Sequence, residues 1–155
     1  MAVGPACVDE AALVRWGRAV GAAARPPLWI ALFGELGAGK SVFARSVCEG
    51  AGVEGAIPSP TFTLLNVYRT PRGWRIVHAD LYRIERPEAL DGLGWSDLVR
   101  ELGVVVLVEW AERAAGRLPA DRWEVTLEHV DDPRLRRIRA EPVGAPPSLP
   151  APSLA

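Results

Sequence analysis

Apolar positions first fall into register after Asp9. Leu13, Trp16, Gly17 and Val20 recur at the three- and four-residue spacing of one helix face. Asp9 carries an oxygen able to cap a first turn and Pro26-Pro27 stops the pattern, so a helix is predicted from Asp9 to about Arg25. Leu28 to Phe33 is apolar without a break and of strand length, which suits a strand covered on both faces. Val104 to Val108 is a second such run, and Glu109 stands at its end. A glycine-rich loop follows the first run and leads into a predicted helix from Ser41 to about Cys48, which stops near Gly50 and Gly52.

The remaining signals are shorter. Ser59-Pro60 reads as a turn or loop and Phe62 to Arg69 as a strand. Pro71-Arg72-Gly73 then turns into a strand over Trp74 to Asp80. Arg86 to Arg100 has the look of short helices, with Gly92 and Gly94 between them. Trp123, Val125 and Leu127 alternate with Glu124, Thr126 and Glu128, the period of a half-buried strand, and Asp131-Asp132-Pro133 turns into a last strand over Leu135 to Ala140. From Glu141 the Pro, Ala and Ser content predicts disorder, which divides the chain into one domain (1–141) and a tail (142–155). Two apolar strands joined through a helix imply a parallel pair, and the alternating strands on either side read as antiparallel additions. The predicted class is α/β: a three-layer P-loop NTPase fold with a mixed sheet.

Composition changes this picture in three places. No apolar run nears the ~20 residues needed to span a bilayer, the N-terminus lacks a signal-peptide pattern, and Cys7 and Cys48 match no metal or disulfide spacing. A cytoplasmic protein with reduced thiols and no membrane partner is expected. The net charge of −1 gives no basic excess for gripping a nucleic-acid backbone unaided, so any contact with RNA is expected through a partner. Finally, Lys40 is the only lysine among 18 basic residues. In a chain that otherwise uses arginine throughout, it marks a place for a compact ammonium where a forked guanidinium does not fit.

That lysine lies in Gly34-Glu35-Leu36-Gly37-Ala38-Gly39-Lys40-Ser41, which fits G-x-x-x-x-G-K-[ST] without departure. Glycines let successive backbone N–H groups of residues 35–41 turn inward onto phosphate oxygens, and the following helix adds its positive end. Lys40 is placed to bridge the β- and γ-phosphates of ATP and the Ser41 hydroxyl to ligate Mg²⁺. Glu109, ending the second buried strand, stands where a Walker B acid belongs. Asp80, ending another, is either a helix cap or a second acid of the site. Ser59-Pro60-Thr61-Phe62-Thr63 is either a switch that senses the γ-phosphate or a proline-started strand. No proton-transfer role is assigned to His78 or His129. Trp29 and Trp123 read as core, whereas Trp110 is placed to cover the site. Arg134, Arg136, Arg137 and Arg139 are either the charges of a solvated edge strand or a contact with nucleotide, RNA or an acidic partner.

Taken in order, the phosphate loop, Ser59-Pro60-Thr61-Phe62-Thr63-Leu64, His78-Ala79-Asp80-Leu81-Tyr82-Arg83 and Val108-Glu109-Trp110 with Leu118-Pro119 resemble the TsaE (YjeE) family. This family supplies the ATPase subunit of bacterial tRNA threonylcarbamoyladenosine synthesis. The resemblance runs from about Asp9 to Arg139. It implies TsaD and TsaB as partners and tRNA as an indirect one, with ATP hydrolysis to ADP resetting the complex between turnovers. Carried over, Ser41 and Glu109 hold Mg²⁺, Lys40, Asp80 and Glu109 serve hydrolysis, Thr61 belongs to the switch, Trp110 lies near the nucleotide and Arg134 reaches it from the last strand. Ser41 stands where the family commonly has Thr and Glu35 where it commonly has Asp, and both keep the needed group. Only Arg83 to Arg100 is free to build the acceptor pocket and lid of a small-molecule kinase, which is too little. A nucleotide-gated binding module remains the alternative. With no arginine finger in its own motifs, the protein is expected to hydrolyse ATP weakly alone and faster with its partners.

Overall fold

The computed structural model describes residues 2–55, 57 and 64–152. Seven strands form one sheet: β1 (Val3–Asp9), β2 (Leu28–Phe33), β3 (Leu65–Arg69), β4 (Arg75–Asp80), β5 (Val104–Glu109), β6 (Arg122–His129) and β7 (Leu135–Val143), in the spatial order β1-β7-β6-β2-β5-β4-β3. The helices are α1 (Glu10–Ala23), α2 (Lys40–Gly50) and α3 (Trp95–Arg100), with 3₁₀ turns at Pro87–Leu93 and Ala111–Ala114. Asp9 caps α1 as expected, its Oδ1 accepting from the Ala12 N–H at 2.8 Å. The chain has the mixed α/β sheet of a P-loop NTPase fold.

The sheet is mixed, with a parallel core and antiparallel flanks as expected, and its parallel part is wider than the sequence suggests. The β2–β5 pair is parallel as expected, but β6 is also parallel to β2 and β4 is also parallel to β5. The antiparallel pairs are β1–β7, β7–β6 and β4–β3. β6 is parallel to β2 on one side and antiparallel to β7 on the other, so its alternation reports a half-covered face and not a direction. On one face α1 and α2 cover Ile30, Leu32, Leu107, Val125 and Leu127, with the Trp16 and Phe43 rings in tilted contact, centroids 4.7 Å apart. The two helices touch backbone to backbone: a Cβ on Gly21 would stand 2.0 Å from the Val47 carbonyl oxygen. On the other face α3 and the 3₁₀ turns cover Trp29, Ala31, Val77, Val106 and Val108, and Trp29 meets Trp95 edge-on at 5.4 Å. That layer does not reach β6, so Glu124, Thr126 and Glu128 stay half-exposed while Trp123, Val125 and Leu127 are buried.

Both ends of the chain carry more structure than their composition suggests. β1 was not expected, because Val3 and Val8 are its only buried residues; it exists by pairing with β7. This pairing also means that β7 is not an edge strand, so that reading of the arginine run fails. At the C-terminus, where disorder is expected from Glu141, β7 continues to Val143. Beyond it, the Pro147 and Pro150 carbonyls accept the indole N–H groups of Trp123 at 2.7 Å and Trp16 at 2.8 Å, and Leu149 packs on the core. Cys7 and Cys48 are free thiols, and burial pushes Cys48 up to about 12. Among the described residues no helix is long and apolar enough to cross a membrane.

Candidate functional site

The C-terminal ends of β2, β5 and β4 lie side by side. Leu32 is opposite Glu109 and Glu109 is opposite Asp80, so the two carboxylates are cross-strand neighbours. The phosphate loop spans the gap from β2 to α2 at this same end. Its first glycine is seated against β6, where a Cβ on Gly34 would stand 2.4 Å from the Leu127 carbonyl oxygen. Gly39 caps α2 in a left-handed conformation (φ 107°) without a side-chain hydrogen bond to the first turn. The N–H groups opening this helix are thus left to an external acceptor, the arrangement that binds anions. Leu36 is 78 % exposed at the loop tip, so its part in the loop is played by its backbone.

Lys40 is only 5 % exposed. Its Nζ donates to the Gly34 and Glu35 carbonyls, the latter at 3.2 Å, and lies 3.9 Å from the centre of the Trp110 ring. Burial holds its pKa below the usual lysine value, while Glu109, Glu112 and Asp80 pull it back up. Trp110 reaches this position because its backbone turns left-handed (φ 57°) directly after β5, the one non-glycine residue with positive φ among those described. The Tyr82 ring packs on it at 5.1 Å.

Next to Lys40, the Ser41 hydroxyl donates to Glu109 Oε1 at 2.7 Å. Glu109 is 2 % exposed, and its other oxygen meets His78 Nε2 at 2.5 Å. Asp80, half-buried beside it, accepts from the Tyr82 N–H at 3.0 Å. Burial raises the pKa of Asp80 and the Glu109 charge adds to the rise, while the Tyr82 N–H, His78 and Lys40 oppose it. A hydroxyl and two carboxylates form a hard-oxygen donor set of the kind Mg²⁺ takes. Among the described residues no group of three or more His, Cys, Asp or Glu could hold a metal. A Mg²⁺ ion on Ser41 and Glu109 would then complete its shell with phosphate oxygens and water, which is its usual habit.

The structure thus brings Lys40, Ser41, Asp80, Glu109 and Trp110 together around the loop. Arg134 lies elsewhere, on the α1 side, in a cleft lined by Glu10, Gly37, Ala38, Gly39 and Arg136. Its guanidinium is forked onto Asp132, with Nε to Oδ1 at 3.1 Å and Nη2 to Oδ2 at 2.9 Å. Arg137 and Arg139 pair with Glu128, and Arg139 also with Glu141. Thr61 and its segment fall outside the described residues. Sequence reading assigns no proton-transfer role to His78, names Tyr82 only within its motif and leaves Arg136 between two readings; the Arg136 Nη2 donates to the Gly37 carbonyl at 3.1 Å. A signal existed for His78: it is two residues before Asp80 in a strand, hence on the same face. For Arg136 the basic run is the only signal, because it meets the loop through the sheet order.

A family model described as "Threonylcarbamoyl adenosine biosynthesis protein TsaE" matches residues 7–138. Among curated proteins, the tRNA threonylcarbamoyladenosine biosynthesis protein TsaE of Haemophilus influenzae is 37% identical over 69% of this chain and 66% of its own length. The protein of the same name from Rickettsia bellii is 37% identical over 76% and 80%. That of Treponema pallidum is 36% identical over 81% and 93%. Among solved structures, YdiB of Bacillus subtilis superposes with a TM-score of 0.71 at 28% identity, covering 88% of this chain and 82% of that one.

Proposed function

This chain belongs to the TsaE family, whose members are named for tRNA threonylcarbamoyladenosine biosynthesis, and we propose that it is the Mg²⁺-dependent ATPase of that pathway, hydrolysing ATP to ADP to reset a TsaD–TsaB complex in the cytoplasm. The observation that carries the reading is the convergence of the uncapped N-terminus of α2, the Lys40 ammonium and the Ser41–Glu109 pair at one end of the parallel strands. Backbone N–H groups of residues 35–41 cradle the phosphates, and Lys40, released from the Gly34 and Glu35 carbonyls, turns to the β- and γ-phosphate oxygens. Bound Mg²⁺ supplies neutralisation of charge on the transferring phosphate. Ser41 and Glu109 hold the cation. Asp80, oriented by the Tyr82 N–H, aligns the attacking water or reaches the cation through it. Trp110 covers Lys40 and excludes bulk water from that side. Thr61 senses the γ-phosphate and couples it to partner docking. Arg134 reaches the nucleotide from the cleft beside Gly37 once it leaves Asp132, and tRNA is met only through the complex.

The test is phosphate release and ADP binding by the purified protein, with and without Mg²⁺ and with and without TsaD–TsaB from the same source. Slow hydrolysis alone, faster on mixing, is expected. Lys40→Ala and Lys40→Arg should both lose nucleotide-dependent function. Asp80→Ala and Glu109→Ala should still bind ADP but lose ~10²-fold or more in hydrolysis. A Lys40→Arg variant that hydrolyses ATP like the parent, or a rate indifferent to the partners, would overturn the reading.

A further inference from the structure

We infer that His78 is a positioning residue for Glu109: by binding one carboxylate oxygen it aims the other at Ser41. The inference rests on the proposed reading that Ser41 and Glu109 hold the cation. His78 is fully buried in β4, on the sheet face shared by Ile76, Leu107 and Glu109. Its Nε2 lies 2.5 Å from Glu109 Oε2, while Oε1 takes the Ser41 hydroxyl at 2.7 Å. The carboxylate is thereby held at both ends, and its terminal torsion has one satisfied setting. An ionised carboxylate only accepts, so the shared proton is on the ring nitrogen Nε2. Nδ1 is the one buried side-chain polar atom without a partner among the described residues.

That orphan atom distinguishes positioning from packing. A leucine or isoleucine would fill the space beside Ile76 and Leu107 on this face without leaving an unmatched nitrogen. The imidazole is accounted for by its single contact with Glu109. Residues that hold a metal-binding carboxylate typically change metal affinity or activity about 10–100-fold when removed.

The test compares His78→Asn with His78→Gln. The Gln amide nitrogen reaches about as far as Nε2, whereas the Asn nitrogen reaches only the Nδ1 position. Expected for His78→Asn is a rise of about 10–100-fold in the Mg²⁺ concentration needed for half-maximal ADP binding or hydrolysis, with Gln returning it to within about threefold of the parent. ADP binding in EDTA should be the same for all three proteins. Ring-nitrogen NMR of the parent, without nucleotide or metal, should show the proton on Nε2 and a shift of that signal in Glu109→Ala. Equal Mg²⁺ dependence in parent, Asn and Gln variants would overturn the inference, as would an Nε2 without a proton or a signal indifferent to Glu109→Ala. If the parent binds ADP with no metal dependence, it is the Mg²⁺ reading of Ser41 and Glu109 that fails, and the NMR measurement still decides whether His78 holds Glu109.

Discussion

Replacing Trp110 by Ala and by Gly separates what its ring contributes from what its backbone costs. At φ 57° and ψ 46° the residue sits in the left-handed region, where an L-residue loses roughly 1–2 kcal/mol. In the parent that cost is offset by the ring, which packs on Tyr82 at 5.1 Å, worth about 0.5–1.5 kcal/mol. The Lys40 ammonium at 3.9 Å adds about 0.5–2 kcal/mol. Trp110→Ala loses the ring and keeps the strained backbone. Trp110→Gly loses the same ring but removes the strain, and the greater freedom of unfolded glycine returns about 0.5–1 kcal/mol of that gain. The Gly variant should therefore be more stable than the Ala variant by about 1 kcal/mol, or about 2–4 °C in midpoint for a domain of this size. Urea and thermal unfolding followed by circular dichroism measure the difference without relying on the deleted fluorophore. Both variants should lose the same part of the nucleotide-induced fluorescence change, since that depends on the ring. An Ala variant as stable as the Gly variant would refute the left-handed turn after β5 and the route by which the ring reaches Lys40.

Asp80→Asn should raise the melting temperature in metal-free buffer at about pH 7.5, and the gain should shrink towards about pH 4. The sign follows from burial raising the Asp80 pKa: the folded state holds a proton that the unfolded state releases, so stability falls as pH rises through that window, and Asn removes the penalty. A gain equal at both pH values would trace to shape and not to charge. Deleting residues 145–155 should cost roughly 1–3 kcal/mol in urea unfolding, because the indole N–H groups of Trp16 and Trp123 lose the Pro150 and Pro147 carbonyls. Unchanged stability would mean that this segment does not hold to the body in solution.

Much of the site was legible locally because its chemistry is local. The glycine spacing, the lone lysine and the hydroxyl after it belong to one eight-residue turn, and the two unbroken apolar runs announce buried strands, the second of them ending at Glu109. The Asp9 cap is equally local, reaching only to Ala12. Other features belonged to no segment by itself. Apolar alternation in β6 told which side chains meet solvent but not the direction of the neighbouring strand, since a period of two is common to parallel and antiparallel pairs. β1 carries too few buried residues to announce itself and becomes a strand through the hydrogen bonds of β7. The His78–Glu109 contact joins residues 31 apart in sequence through the β4–β5 register. At the C-terminus, composition speaks for a segment too poor in apolar side chains to fold by its own burial. Its proline carbonyls are nevertheless fixed, because two buried indole N–H groups require acceptors and only the folded core brings them within reach.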